Sequence, residues 1–112
     1  MPTPAALRHY QQQAVRSASP AALVDKLYEI GISAVRSGDA QRARRVLVEL
    51  TGSLDLERGG ELAEQLRGLY EFSIRAVTAG DFETVTELLS GLREAWRAGP
   101  LAAERSALRA AA

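Results

Sequence analysis

Two stretches of the sequence are near copies of each other: LYEIGISAVRSGD, which spans Leu27 to Asp39, and LYEFSIRAVTAGD, which spans Leu69 to Asp81. They share eight of thirteen residues and lie 42 positions apart. In both, apolar residues recur at spacings of three and four, which is typical of a helix with a buried face. Each ends in a Gly-Asp pair, which closes one helix and caps the next. The chain is therefore predicted to contain two related helical hairpins.

The repeat and the boundary signals around it predict four helices. Serine suits the N-cap of a helix, proline its first position and glycine its end. The expected boundaries are a start at Ser19-Pro20, a second helix over about residues 40–54, a third from near Glu61 and a fourth that ends at Gly99-Pro100. Short loops make neighbouring helices antiparallel, and a single hairpin cannot bury both its faces. We therefore predict an all-α fold, an antiparallel four-helix bundle in which Leu27 and Leu69 occupy equivalent buried places.

The two ends of the chain lie outside this bundle, which is predicted to span residues 19–98. Residues 1–18 are predicted to form an N-terminal arm or a short helix. Residues 99–112 form an alanine-rich tail with helical propensity. Because Leu101, Leu108 and Ala112 offer little to anchor it, the tail is expected to fray or to dock weakly.

The stretch SLDLERGGELAEQL, residues 53–66, joins the first hairpin to the second. Its two glycines, Gly59 and Gly60, interrupt what otherwise has the pattern of a helix. Two adjacent glycines at a helix start cost roughly 1 kcal/mol each relative to alanine. A requirement for a special backbone geometry at this point would explain why both are present. One of the two is therefore predicted to adopt a backbone conformation open mainly to glycine.

The composition argues against several classes of function. The 112 residues carry 14 basic and 14 acidic side chains, so no basic surface for nucleic acid is indicated. There is no cysteine, and the single histidine, His9, lies in the arm, so no metal site, cofactor or catalytic group is expected. No apolar run approaches the roughly 20 residues of a membrane span, and no signal segment is apparent. We expect a soluble, cytoplasmic protein that is not an enzyme and does not insert into membranes.

Helices one and three each carry a second apolar stripe beside the first. The residues are Val24, Tyr28, Ile32 and Val35 on helix one and Leu66, Tyr70, Ile74 and Val77 on helix three, each pair 42 positions apart. Two interpretations are open. Either these helices are buried over a wider arc than the other two, or part of this surface is a groove for a partner helix or peptide.

Four segments together resemble the FliS family of bacterial flagellar export chaperones. They are YQQQAV from Tyr10, Leu23-Val24 followed by Leu27-Tyr28-Glu29, Ser53-Leu54-Asp55 with Gly59-Gly60-Glu61, and Leu92-Arg93-Glu94-Ala95-Trp96. They span about residues 10–98, and their order is more specific than any one of them. Relative to typical members, both hairpins are shorter at their Gly-Asp ends.

The resemblance implies a helical bundle that works in the bacterial cytosol. It implies binding to the disordered C-terminal segment of flagellin, which prevents premature polymerisation and assists secretion through the export machinery. The second stripes would contact this segment, and the arm would lie across the bundle and partly cover the same surface; the alternative is a disordered arm. The candidate contact residues are Tyr10, Val15, Val24, Tyr28, Leu66, Tyr70 and Ile74. A different class of function is also open: an adaptor or self-associating structural bundle unrelated to flagella.

Overall fold

In the computed structural model of this protein, the described residues are 19–111. The predictions made for the arm, including those for Tyr10 and Val15, therefore lie outside the described residues. The elements are α1 Pro20–Arg36, α2 Ala40–Gly52, α3 Leu56–Thr78, α4 Phe82–Trp96, a π-helical turn Arg97–Leu101 and α5 Ala102–Ala111. All secondary structure within residues 19–111 is helical, and α1 to α4 pack against one another. The predicted all-α four-helix bundle is confirmed.

Both hairpins turn through the same backbone geometry. Gly38 and Gly80 have φ of 75° and 85°, the left-handed region that glycine enters without steric cost. The residue after each glycine donates its N–H to the carbonyl of Ala34 or Ala76, which closes the preceding helix in a Schellman motif. Each Gly-Asp pair therefore makes a tight turn, as the sequence predicts.

The four bundle helices also begin in the same way. In each, a side-chain oxygen of the residue before the helix accepts a hydrogen bond from the third helical N–H, a pairing that satisfies an otherwise orphaned donor. The capping residues are Ser19, Asp39, Asp55 and Asp81. The sequence predicts that α3 begins near Glu61, but the helix begins at Leu56. The reason is Asp55, which caps a first helical turn that precedes the glycines.

The core is aliphatic and centres on α1. This helix packs closely on α2 along one side and on α4 along the other. Core leucines and valines with little or no exposed surface fill the space between them: Leu27, Val46, Leu47, Leu50, Val85 and Leu89. Because full burial of such a side chain stabilises a fold by about 1.5–3 kcal/mol, this contact is the main source of stability in the bundle.

Helix α3 is covered less well than α1, its counterpart in the repeat. It packs on α2 but makes far fewer close contacts with α4, so the ring of four helices is open between α3 and α4. Leu27 is 4% exposed, whereas Leu69 is 38% exposed. The prediction that these two leucines occupy equivalent buried places is therefore wrong. The reason is position: α1 has a close neighbour on both sides, and α3 has one on one side only.

The glycine pair breaks α3 near its start. Gly60 has φ 53° and ψ −133°, a conformation that L residues rarely adopt, within an otherwise helical segment. A Cβ at Gly59 would lie 2.6 Å from the Cβ of Ala63, closer than real contacts allow. The prediction that one of the two glycines takes a conformation open mainly to glycine is confirmed for Gly60, while Gly59 allows a close approach.

The helical path continues past Pro100, where the sequence predicts that α4 ends. Proline has no N–H to donate, and the chain passes it in the wider π-helical turn before α5 begins. Leu101 at the end of this turn is 1% exposed. The expectation that Leu101 offers little anchorage is wrong, because the turn directs it into the bundle.

We expect Gly60→Ala to destabilise the bundle by about 1–3 kcal/mol, because alanine is strained in the backbone conformation of Gly60. The measurement is urea unfolding followed by circular dichroism. Gly68→Ala is the matched control: it lies in α3 with open space around its Cβ position. It should stabilise the helix by about 0.5–1 kcal/mol. Equal effects of the two substitutions would contradict a special role for Gly60.

Candidate partner-binding site: the seam cleft

The two repeats meet at a pair of buried tyrosines. The hydroxyl oxygens of Tyr28 on α1 and Tyr70 on α3 lie 2.6 Å apart and share a hydrogen bond, in which either group can donate. The side chains are 1% and 2% exposed, and their ring centroids lie 6.4 Å apart. Both were predicted as contacts for a partner. The structure places them inside the bundle, where each satisfies the other's polar atom.

Burial also sets the protonation state of this pair. Removal from water raises the pKa of Tyr28 and of Tyr70, because it disfavours the phenolate. For Tyr70, the hydrogen bond with Tyr28 and the electrostatic interaction with that side chain raise the pKa further. Both phenols are therefore neutral at physiological pH.

Trp96 on α4 completes this aromatic group. Its ring meets Tyr28 edge-on, with centroids 6.5 Å apart. Its indole Nε1 donates a hydrogen bond of 2.8 Å to the backbone carbonyl of Ala21 in the first turn of α1. A tryptophan held both by a ring contact and at its N–H is a rigid wall for a binding site.

An apolar cleft of about 310 Å³ lies where α3 leaves the bundle, beside the glycine break. We call it the seam cleft and define it by the six large apolar or aromatic side chains of its lining: Val24, Leu54, Leu62, Leu66, Tyr70 and Trp96. Its outer edge is Leu62, which is 66% exposed. Asp55 and Arg58 lie at the rim and face each other at 3.7 Å. The cleft can therefore accept apolar side chains without burying an unpaired charge.

The candidate contact residues divide between this cleft and the core. Val24, Leu66 and Tyr70 line the cleft. Tyr28 lies in the core, in contact with Tyr70 and Trp96. Ile74 is half-buried and packs against the core cluster, away from the cleft lining.

Three residues of the cleft lining, Leu54, Leu62 and Trp96, are not among the contact residues that the sequence predicts. The sequence feature that could have indicated these residues is the glycine pair, which marks where α3 separates from its neighbours. Leu62 directly follows that break, so its environment depends on the direction in which the helix restarts.

A larger cleft, of about 540 Å³, lies between α1 and α4, and four of its seven lining residues are charged. One of them, Arg93, pairs with Asp25 at 3.0 Å and with Glu29 at 3.5 Å, neither of which lines the cleft. The hydrogen bond to Asp25 raises the pKa of Arg93. These ion pairs hold α4 on α1. Because binding sites are lined mainly by apolar side chains, the seam cleft is the better candidate site.

Two further properties bear on function. Among residues 19–111, no group of three or more histidine, cysteine, aspartate or glutamate side chains is placed to hold a metal ion. None of the helices in the same range has both the length and the apolar character needed to cross a membrane.

Comparison with known proteins identifies the family. Residues 35–103 match the family described as Flagellar protein FliS. The chain belongs to the FliS family. The match includes five of the six side chains that define the seam cleft, all except Val24.

Two curated FliS proteins are similar along most of their length, and both are called flagellar secretion chaperone FliS. The protein from Campylobacter jejuni subsp. jejuni is 33% identical over 110 residues, covering 79% of this chain and 85% of the relative. The protein from Salmonella typhimurium is 32% identical over 108 residues, covering 77% and 80%. No solved structure matches this chain. The family is one of flagellum biogenesis and export, and it is not a family of enzymes.

We expect Tyr28→Phe and Tyr70→Phe each to lower the free energy of unfolding by about 1–3 kcal/mol, because each leaves a buried hydroxyl without a partner. The double variant should cost clearly less than the sum of the two, since it removes both polar groups together. Urea unfolding of the four proteins gives the coupling energy. Additive losses would show that the two hydroxyls do not depend on each other.

The raised pKa values predict a loss of stability at alkaline pH. Tyrosines in the unfolded chain release their protons near pH 10, and the buried pair holds its protons to higher pH. The stabilising contribution is therefore fully present below about pH 10 and is lost as the pH rises above it. Unfolding measured between pH 8 and about pH 11 should show this decrease, and it should be smaller in the Tyr28→Phe/Tyr70→Phe variant. An equal decrease in both proteins would assign it to other groups.

Proposed function

We propose that this protein is a cytoplasmic export chaperone that binds the disordered C-terminal segment of flagellin, prevents its premature polymerisation and assists its secretion. The observation that carries the proposal is the open, apolar seam cleft in a chain of the FliS family. Both relatives are named flagellar secretion chaperones, which supports the chaperone part of the proposal. Contact with the export machinery is a further part of this proposal.

The shape of the bundle fits an added helix. Helices α3 and α4 make few close contacts, and the seam cleft, with Trp96 of α4 and the first part of α3 in its lining, is open and apolar. An amphipathic segment placed between them would bury Leu62 and Leu66 and would contact Trp96. A segment that forms the core of a filament has an apolar face of this kind, and left free it would associate with copies of itself.

The physical cost of binding also favours an extended contact. A disordered segment loses conformational entropy when it becomes a helix, so a few contacts in the cleft are insufficient. Beyond the cleft, Leu69 and Phe72 are exposed apolar side chains further along α3, at 38% and 42% exposure. We therefore propose that the flagellin segment contacts Val24, Leu66 and Tyr70 in the cleft and continues along α3, with Ile74 as a further proposed contact. Tyr28 supports this surface from behind.

The arm is proposed to share this surface. It joins the bundle at Ser19, five residues before Val24 in the cleft. Because an extended chain advances about 3.3 Å per residue, we propose that Tyr10 and Val15 contact the same apolar side chains. Deletion of residues 1–16 is expected to change the affinity for flagellin.

Leu62→Asp is the direct test of the cleft. Burial of a leucine side chain is worth about 1.5–3 kcal/mol, so a charge at this position should weaken binding by about tenfold or more. The side chain is 66% exposed, and an aspartate near a helix start is well tolerated, so the bundle should remain folded. The measurement is calorimetry with a peptide of the C-terminal segment of flagellin from the source organism, after circular dichroism has shown normal folding.

Val48→Asp is the matched control. Val48 is 60% exposed, but it lies on α2 outside the lining of the cleft. It should leave the affinity unchanged. If folded Leu62→Asp binds as tightly as the wild type, the flagellin segment binds elsewhere. If the wild type binds no flagellin segment, the chaperone proposal fails and an adaptor or self-associating role replaces it.

A further inference from the structure

The first turn of α1 is completed by a residue from the other end of the chain. Pro20 has no N–H, Ala22 donates to Ser19 Oγ at 3.1 Å, and Leu23 donates to the Ser19 carbonyl. The remaining N–H, that of Ala21, donates to Oε2 of Glu104 at 3.3 Å. All N–H groups that begin the helix are therefore satisfied, one of them by a carboxylate of α5. A negative charge is favourable at this end of a helix, and α1 has no acidic residue of its own in its first turn.

Ala21 is held from its other side by the wall of the cleft. Its carbonyl accepts the hydrogen bond from Trp96 Nε1 at 2.8 Å. The same buried residue thus receives Glu104 at its N–H and Trp96 at its carbonyl. Val24, which also lines the cleft, lies one turn further along α1. A shift of Ala21 would therefore move both Val24 and the support of Trp96.

The attachment of α5 depends on few contacts. Leu101, just before the helix, is fully buried, and Glu104 is partly buried. From residue 105 to residue 111 every side chain is exposed, including Leu108 at 61%. Within the described part of the chain, the second oxygen of Glu104, Oε1, is buried without a hydrogen-bond partner. Release of α5 would return that oxygen to water, which lowers the free-energy cost of release.

We propose that α5 regulates the seam cleft, with Glu104 as the positioning residue. In the docked state, Glu104 fixes the first turn of α1, and Ala21 in turn fixes Trp96 in the wall of the cleft. In the released state, the first turn of α1 frays and Trp96 loses its fixed hydrogen-bond acceptor. The docked state should bind an apolar segment more tightly than the released state. Its wall is already ordered before the segment binds, so binding carries no further entropy cost there. This inference rests on the proposed function for the identity of the ligand, but the coupling itself can be measured in the free protein.

The only tryptophan of the chain gives a direct readout of this coupling. Glu104→Ala removes the carboxylate, and Glu104→Gln keeps an oxygen that can accept from Ala21. Glu87→Ala is the matched control, since Glu87 is an exposed glutamate on α4 outside the cleft and its lining. The fluorescence of the free, full-length proteins should show a red-shifted emission and stronger acrylamide quenching for Glu104→Ala only. Circular dichroism should show a loss of helix no larger than α5 and the first turn of α1.

Binding to the flagellin C-terminal peptide is the second readout. We expect Glu104→Ala to bind about threefold to tenfold more weakly than the wild type, the scale of a lost helix cap, and Glu104→Gln to recover most of the difference. Unchanged emission and unchanged affinity in Glu104→Ala would overturn the inference while leaving the proposed function intact. Changed emission without any wild-type binding would retain the coupling and reject the flagellin ligand. Equal changes in Glu87→Ala would also overturn the inference, because they would show a general loss of folding.

Discussion

The hydrogen bond between the hydroxyls of Tyr28 and Tyr70 connects the two halves of this protein. The two side chains occupy the same position in the two repeats. Each offsets the desolvation cost of burying the other's hydroxyl. Without this bond, α3 would contact the rest of the bundle mainly through α2. The bond therefore fixes how far α3 can move from α1, and with it the width of the seam cleft, of which Tyr70 is one wall.

A bundle of two repeated hairpins has one central and one peripheral copy of the same helix. The central copy, α1, uses its wide apolar arc for α2 and α4. The peripheral copy, α3, has an arc of similar width but a close neighbour on one side only. Leu62 and Leu69 are exposed for this reason. Surface that a monomer would normally bury is thus kept available, which is a usual mark of an interaction site.

This arrangement connects folding to function. Most of the stability comes from the contact of α1 with α2 and α4, so a partner can approach α3 without competing with the core. The wall of the cleft at Trp96 belongs to the stable side, where Ala21 and, through it, Glu104 hold the indole. The edge at Leu62 belongs to the less covered side. A cleft with one fixed wall and one exposed edge can accept apolar segments while its own fold persists.

The sequence by itself determined the local features, because these depend on residues close in the chain. The four helices, both Gly-Asp turns and the special conformation at Gly60 follow from capping residues, apolar spacing and the steric freedom of glycine. The pairing of repeats also identified Val24, Leu66 and Tyr70 as parts of one surface. Only the tertiary structure decided which copy of the repeat is central, since eight of thirteen residues are the same in both. It alone placed Leu62 at an edge and Glu104 on the first turn of α1, because a contact across 83 positions depends on packing and has no periodicity in the sequence.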